Sequence, residues 1–259
     1  MPEVEPVYSR KFQVDAFETD ASSCATPETL CNYMQEIAGQ HARQMGVDIK
    51  ELNRSNQTWV LHRLHVRFDQ LPYWQQKVAL DTWPAKVDNL RAYRAFVGRN
   101  ADDHTPILGA LSYWMILDVE NRRPVPIPDE RKNRHLSDRK LPVVIQKGRL
   151  NIKLDEAQAH SNEFRVRRTD IDMNKHVNNV AYINWALESL PEDYHHQKVW
   201  RPAELDIQYI AETFQRETVV SIAAPLANQQ ENGEIRWGHE IKNSSNGKLL
   251  AVAKSRWVK

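Results

Sequence analysis

Glycine is scarce in this 259-residue chain, at eight positions. Neither a GxGxxG nor a GxxxxGK[ST] run occurs, so the common phosphate-cradling loops of nucleotide binders are excluded. Cysteine is scarcer: Cys24 and Cys31 are the only two, and no CxxC or HExxH string accompanies them. That excludes a metal framework, and no cofactor is expected. Two thiols so close in sequence read as reduced, as in a cytosolic chain. No run of about 18 apolar residues exists, so no membrane span is expected. The opening Met-Pro-Glu-Val-Glu-Pro resembles neither a secretory signal nor an Arg/Ser-rich transit peptide, and the expected location is cytoplasmic. An excess of one charge is lacking too. Thirty-five Lys+Arg against 34 Asp+Glu leave a net +1, so no general footprint for nucleic acid or an anionic membrane is present.

What is present is core material. Hydrophobic residues make up 41%, and eight Trp, six Phe and eight Tyr exclude a disordered chain. The length suits one large domain or two ordinary ones.

The element order is read twice. Residues 11–17 alternate like a strand. Thr26 then suits an N-cap and Pro27 the first helical position. Leu30, Met34, Ile37, His41 and Met45 share one helical face, and Gly46 reads as the stop. Period-two segments follow at 59–68, 77–83, 91–99 and 108–117. Residues 120–160 are rich in proline and charge and read as a partly helical surface connector. The order then recurs: a strand at 162–168, a polar loop, a helix at 177–190 stopped by Pro191, and strands at 202–209, 217–225, 235–242 and 249–258. Sliding by 150 residues sets Leu30 on Val180, Tyr33 on Ile183 and Ile37 on Leu187 without gaps, the mark of an internal duplication. The fold class is α+β: two tandem units, each a long helix packed on a curled antiparallel sheet. The expected domains are 1–135, a connector at 136–160, and 161–259.

The densest polar segment is Asp172-Met-Asn174-Lys-His176. In extended backbone alternate side chains point the same way, so a carboxylate, an amide and an imidazole can share a face. The segment ends where a helix begins, beside free N–H groups and a positive dipole end. That place suits the oxyanion of a carbonyl under attack. Asp and Asn before a helix are also ordinary caps, and by chemistry alone both readings stand.

The stretch from Arg168 to Pro191 resembles the signature of the plant and bacterial acyl-acyl-carrier-protein thioesterases. So do residues 29–42, 58–63, 71–74, 78–83 and 112–115, then Arg122-Arg123 and Ile127-Pro128, in order. The resemblance implies a double hotdog fold and release of free fatty acid from acyl-acyl-carrier protein, ending chain elongation. It implies an acidic carrier protein as partner, no nucleic acid, and a monomer (itself a pseudo-dimer) or a homodimer. Asp172, Asn174 and His176 fall on the family's catalytic DxNxH positions, and Glu212 on a fourth, a glutamate after the helix. Plant members follow that glutamate with cysteine; here it is Thr213, so an activated water is expected rather than a thiol nucleophile. Glu212, alone or with His176, would activate that water, and Asn174 would orient it or hold the carbonyl. Asp172 would orient its neighbours, with the backbone N–H groups of Val177 and Asn178 as oxyanion donors.

Under the 150-residue offset Ser22, Cys24 and Thr26 replace the catalytic trio, so the first copy is expected to bind the acyl chain instead, with Met34, Ile37 and Met45 at its groove. Arg63, Arg67, Arg91, Arg94, Arg122, Arg123, Arg131 and Lys132 are candidates to meet the carrier. His195 and His196 read as exposed. Two rivals remain at this stage: an acyl-CoA thioesterase on the same fold, and a non-catalytic acyl-binding protein.

Overall fold

The computed structural model describes residues 4–132, 135–144, 148–197, 199–226 and 233–259; the side chains of Arg131 and His196 lie outside the described residues. The chain divides into two compact units. The first runs to residue 145 without 20–22, which group with the second, 146–259. Among the described residues no helix is long and apolar enough to cross a membrane.

In the first unit β1 is Tyr8–Gln13, β2 Gln57–Phe68, β3 Lys77–Val87, β4 Ala92–Asn100 and β5 Pro106–Asp118. They pair antiparallel in the order β1-β3-β4-β5-β2, with a short β6, Pro124–Val125, on β5. Helix α1, Pro27–Gln44, packs against β1 and β3. It starts where the Thr29 N–H donates to Thr26 Oγ1 at 3.2 Å, and stops before Gly46, whose φ of +67° a side chain would resist. Leu30, Met34, Ile37 and His41 are all buried on its sheet-facing side. Each aliphatic member contributes about 1.5–3 kcal/mol. Two short helices complete the unit: α2, Ile49–Asn53, and α3, Asp129–Lys132. The strand expected at 11–17 ends at Gln13. The Asp15 N–H donates to Glu18 Oε2 at 2.9 Å, which folds residues 16–18 into a 3-10 turn and leaves Phe17 86% exposed.

In the second unit β7 is His160–Arg165, β8 Arg201–Tyr209, β9 Thr218–Pro225, β10 Glu234–Asn243 and β11 Leu249–Val258. The order is β8-β11-β10-β9-β7, again antiparallel. Helix α4, Asn179–Leu187, packs on β9 and β10. It opens two residues later than the apolar pattern indicates, because Asn178 Oδ1 accepts from the Val180 N–H at 3.0 Å and fixes the cap there.

The units repeat each other down to single hydrogen bonds. Glu18 N–H to Asp15 O and Thr26 N–H to Glu18 O recur as Asp170 N–H to Arg167 O and Asn178 N–H to Asp170 O. Ser23 and Lys175 both sit in the left-handed region, at φ 62° and 63°. Each pair is 152 positions apart, so the register of the duplication is 152 and not 150. A helical face tolerates a slide of a residue or two; a turn does not. The counterparts of Asp172, Asn174 and His176 are therefore Asp20, Ser22 and Cys24. The Ser22 N–H donates to Asp20 Oδ1 just as the Asn174 N–H donates to Asp172 Oδ1, both at 2.8 Å. Past the helix the spacing shortens. Gln70 N–H to Ile107 O matches Ala211 N–H to Leu250 O, which sets Leu71 opposite Glu212.

The connector is more than a surface tether. Before it leaves the first unit, Val143 buries against Trp83, Ala95 and Leu111, on the sheet face turned away from α1. Arg67 Nη1 donates to Pro142 O there at 3.0 Å. In the second unit the Leu150 N–H donates to Gln208 Oε1 at 2.7 Å. A Cβ on Gly238 would lie 2.7–2.9 Å from Ile152, Leu226 and Leu154, so glycine is what lets these side chains lie on β10. Each sheet thus has a helix on one face and connector residues on the other.

Candidate active site

The loop 170–177 does not run extended. It closes on itself through an antiparallel bridge between Ile171 and Val177. The Asp172 N–H donates to His176 O at 2.8 Å and the Lys175 N–H to Asp172 O at 3.0 Å. Asp172 holds the turn from within. Its Oδ1 accepts from the backbone N–H of Asn174 at 2.8 Å and of His176 at 3.2 Å, and its Oδ2 from Asn174 Nδ2 at 3.3 Å. The three side chains are gathered by this carboxylate, not by strand alternation. A carboxylate accepting several N–H bonds is a strong local organiser.

Glu212 follows β8 by three residues, after the N–H groups of Ile210 and Ala211 have both turned to Leu250 O. It faces His176, with Oε1 3.7 Å from Nδ1. Both side chains are about a third exposed, at 32% and 30%, so water reaches them. The gap exceeds direct hydrogen-bond reach and suits either a bridging water or tightening on substrate. Thr213, where plant members carry cysteine, is fully buried, and its hydroxyl donates to Glu217 Oε2 at 2.6 Å. It is a structural link.

The N–H of Asn178 is committed to Asp170 O at 2.8 Å, which removes it as an oxyanion donor. Among the described residues the Val177 N–H makes no hydrogen bond, so it keeps a proton to offer. Sequence reasoning missed the residues behind this turn. Asp170 is buried and takes the Arg167 N–H at 2.7 Å and its guanidinium at 2.8 Å. Tyr209 Oη donates to Asn179 O at 3.1 Å, tying the start of α4 to the end of β8. Tyr182 is buried beside it, and burial pushes its hydroxyl up to about 12 while the Thr213 backbone donates to it. Two tyrosine hydroxyls on otherwise apolar faces were the available signal.

In the first unit a small, mostly apolar cleft lies between α1 and the sheet, lined by Cys31, Met34, Leu61, Leu64, Phe96 and Trp114, with Gln35 and Ser112. Met34 is at this cleft; Ile37 is fully buried and not part of its lining. Met45 lies further along the helix, its Sδ 3.9 Å from Arg94 Nη2. Arg94, half-buried under α1, also meets His41 Nδ1 at 3.0 Å and Thr82 Oγ1 at 3.3 Å. Burial, with Arg94 second, lowers His41 to about 4. Arg94 is therefore no surface contact for a carrier, and neither is Arg63, only 3% exposed. A bulge in β2 between Leu61 and Arg63 sets Arg63 opposite Tyr113, on the sheet face that Val143 covers. Arg67 pairs with Asp69 at 3.0 Å and Lys132 with Asp129 at 2.6 Å, while Arg91, Arg122 and Arg123 are exposed. His195 is half-buried, its Nε2 3.1 Å from Leu190 O, rather than exposed.

The chain is similar to known proteins along most of its length. Residues 5–134 match the acyl-ACP thioesterase N-terminal domain and residues 153–259 its C-terminal domain. The oleoyl-acyl carrier protein thioesterase 2 of Arabidopsis thaliana is 26% identical over 97% of this chain and 77% of its own length. The palmitoyl-acyl carrier protein thioesterase of Gossypium hirsutum is 28% identical over 97% of this chain; the chain spans 63% of that relative. In fold, the chain is similar to an acyl-ACP thioesterase from Bacteroides thetaiotaomicron (TM-score 0.83, 24% identity, 97% of this chain and 98% of that one). The 12:0-ACP thioesterase of Umbellularia californica also has a TM-score of 0.83, at 22% identity, with 97% and 93% covered.

Proposed function

The chain belongs to the acyl-ACP thioesterase family of thioester hydrolases, and from that premise we propose that it frees fatty acid from acyl-acyl-carrier protein with a water held between His176 and Glu212. The observation that carries this is the facing of those two side chains at 3.7 Å beside a turn organised by Asp172.

The chemistry follows from the groups. Glu212 takes a proton from the water as its oxygen bonds to the thioester carbon. The carbonyl oxygen gains charge and is met by the Val177 N–H at the start of α4, where the helix dipole also favours an anion. Asn174, its backbone and Nδ2 both held by Asp172, orients the water or the carbonyl oxygen. The tetrahedral carbon then expels sulfur: the C–S bond breaks, and the proton held by Glu212 passes to the thiolate directly or through His176. A thiolate is a good leaving group, since thiols are far more acidic than alcohols (about 8.5 for a cysteine side chain), so proton delivery need not be complete when the bond breaks. The acyl chain is assigned to the first unit, whose cleft at Met34 is apolar and whose equivalent loop has Cys24 and Leu71 in place of His176 and Glu212.

The test is free-acid release from acyl-carrier-protein thioesters of varied chain length, by the native enzyme and by His176→Ala. Turnover on at least one length, lost in the variant, is expected. Tight binding without hydrolysis would refute the proposal.

A further inference from the structure

The duplication supplies an internal control for charge. In the second unit the two site loops, 165–176 and 212–217, adjoin: the Arg216 N–H donates to Val166 O at 3.2 Å and the Val166 N–H to Glu217 O at 2.9 Å. Arg165, Arg168, Lys175 and Arg216 are exposed on these loops, and none is in an ion pair among the described residues. The carboxylates nearby are occupied otherwise. Asp170 is buried with Arg167, Asp172 holds the turn, and Glu217 accepts from Thr213 and Asn243. Two large apolar side chains stand out among the cations: Met173 is 84% exposed and Phe214 52%.

The equivalent positions in the first unit are Gln13, Ala16, Ser23 and Gln75, all neutral. Its matching loops carry Asp15, Glu18 and Asp20 and no Lys or Arg. The backbone of the two loop pairs is the same, so the turn itself does not require cations. They occur only in the copy that has His176 and Glu212. A chain with a net charge of only +1 has therefore gathered unpaired positive charge around one turn and its neighbour.

Resting on the function proposed above, we infer that the acidic carrier protein docks on this rim, with Arg165, Arg168, Lys175 and Arg216 as charge contacts and Met173 and Phe214 as apolar contacts. A carrier delivers its thioester on an arm, so its body must settle beside the reacting groups. Cations at that spot raise the encounter rate with an acidic body and orient it, and exposed apolar side chains give the short-range hold. This replaces Arg63 and Arg94 as docking residues, since Arg63 is buried and Arg94 is half-buried against His41.

The experiment compares the native enzyme with the triple variant Arg165→Glu, Arg168→Glu, Arg216→Glu on two substrates of equal acyl length: acyl-carrier protein and a neutral acyl-pantetheine thioester. A rise of about tenfold or more in KM for the carrier substrate is expected at low salt, shrinking as salt is added. Turnover of the pantetheine thioester should stay within about twofold, which also shows that the variant is folded. Unacylated carrier protein should inhibit pantetheine-thioester hydrolysis by the native enzyme and do so about tenfold less well with the variant. Equal losses on both substrates would overturn the inference and assign the cations to the reaction. An unchanged KM for the carrier would overturn it in favour of another surface. If the native enzyme hydrolyses neither substrate, the proposed function itself falls, a result distinct from either.

Discussion

Glu212→Gln separates two roles that the geometry allows for this carboxylate. If Glu212 only steadies a positive imidazole on His176, its worth is set by distance and exposure. At 3.7 Å two unit charges would interact by about 4 kcal/mol at an effective dielectric of 20. Both side chains are about 30% exposed, and solvent screening cuts that to roughly 1 kcal/mol. A supporting role therefore costs about five- to tenfold in kcat. If Glu212 takes the proton from water, its loss costs about 10²–10⁴. The two ranges do not overlap. The assay is single-turnover release of free acid from acyl-carrier protein, with the enzyme in saturating excess so that docking does not enter. His176→Ala and the double variant complete a cycle. Two groups that handle one proton act as a unit, so the double variant should be no more than about tenfold worse than the poorer single one. A Glu212→Gln variant within tenfold of native, or losses that multiply in full, would refute the base assignment.

Asp172→Ala should strip the acceptor from the N–H groups of Asn174 and His176, lowering stability by about 1–2 kcal/mol and kcat by about 100-fold, read by urea unfolding and turnover; native kcat would contradict the turn's role. His239 is fully buried, its Nε2 2.8 Å from Ser255 Oγ, and burial lowers it to about 4 against an ordinary 6.5. The unfolded chain takes up this proton near pH 6.5 and the folded one only near 4, so stability is intact above 6.5 and falls by about 2.5 kcal/mol on reaching pH 4.5. Urea midpoints at both pH values, native against His239→Asn, check this; equal slopes would exclude His239 as a source, leaving His41 and His62, which burial also lowers. Gly238→Ala should destabilise by about 1–3 kcal/mol, because three side chains of and beside the connector already fill the Cβ position. An unchanged melting curve would show that Ile152, Leu154 and Leu226 are loosely seated.

Strand positions were legible because alternation reports burial of one face, and segments such as 249–258 came out as expected. Arg94 was legible too: it shares parity with Phe96 on β4, and Phe96 faces the cleft under α1. Treating it as a surface cation set its charge above its register. Arg63 was not legible, since the bulge that moves it to the connector-covered face has no glycine or proline to announce it. The closed turn of the site was hidden for a related reason. It needs Lys175 at a φ of +63°, a conformation that sequence reasoning reserves for glycine or asparagine. Helix α2 spans five residues, too short for a period to register. The outer cover of both sheets was hidden because proline and charge in the connector masked Val143 and Leu150, each of which is buried.

The two copies of the site loop also separate structure from chemistry within one chain. Cys24 and Leu71 stand where His176 and Glu212 stand, so the first copy has neither an imidazole nor a carboxylate to move a proton. It nevertheless keeps Asp20 at the place of Asp172, and Asp20 still accepts the N–H two residues on. It keeps the left-handed residue as well, Ser23 for Lys175. An aspartate retained where the reacting groups are absent is there for the backbone, because the turn's N–H groups need an acceptor in either copy. Asp172 is on that reasoning a positioning residue, and its substitution should act through Asn174 and His176. The rate loss in Asp172→Ala should then come with a loosened turn, visible as faster amide exchange at Asn174 and His176. A slow enzyme with native exchange at both amides would instead place Asp172 among the groups that touch substrate.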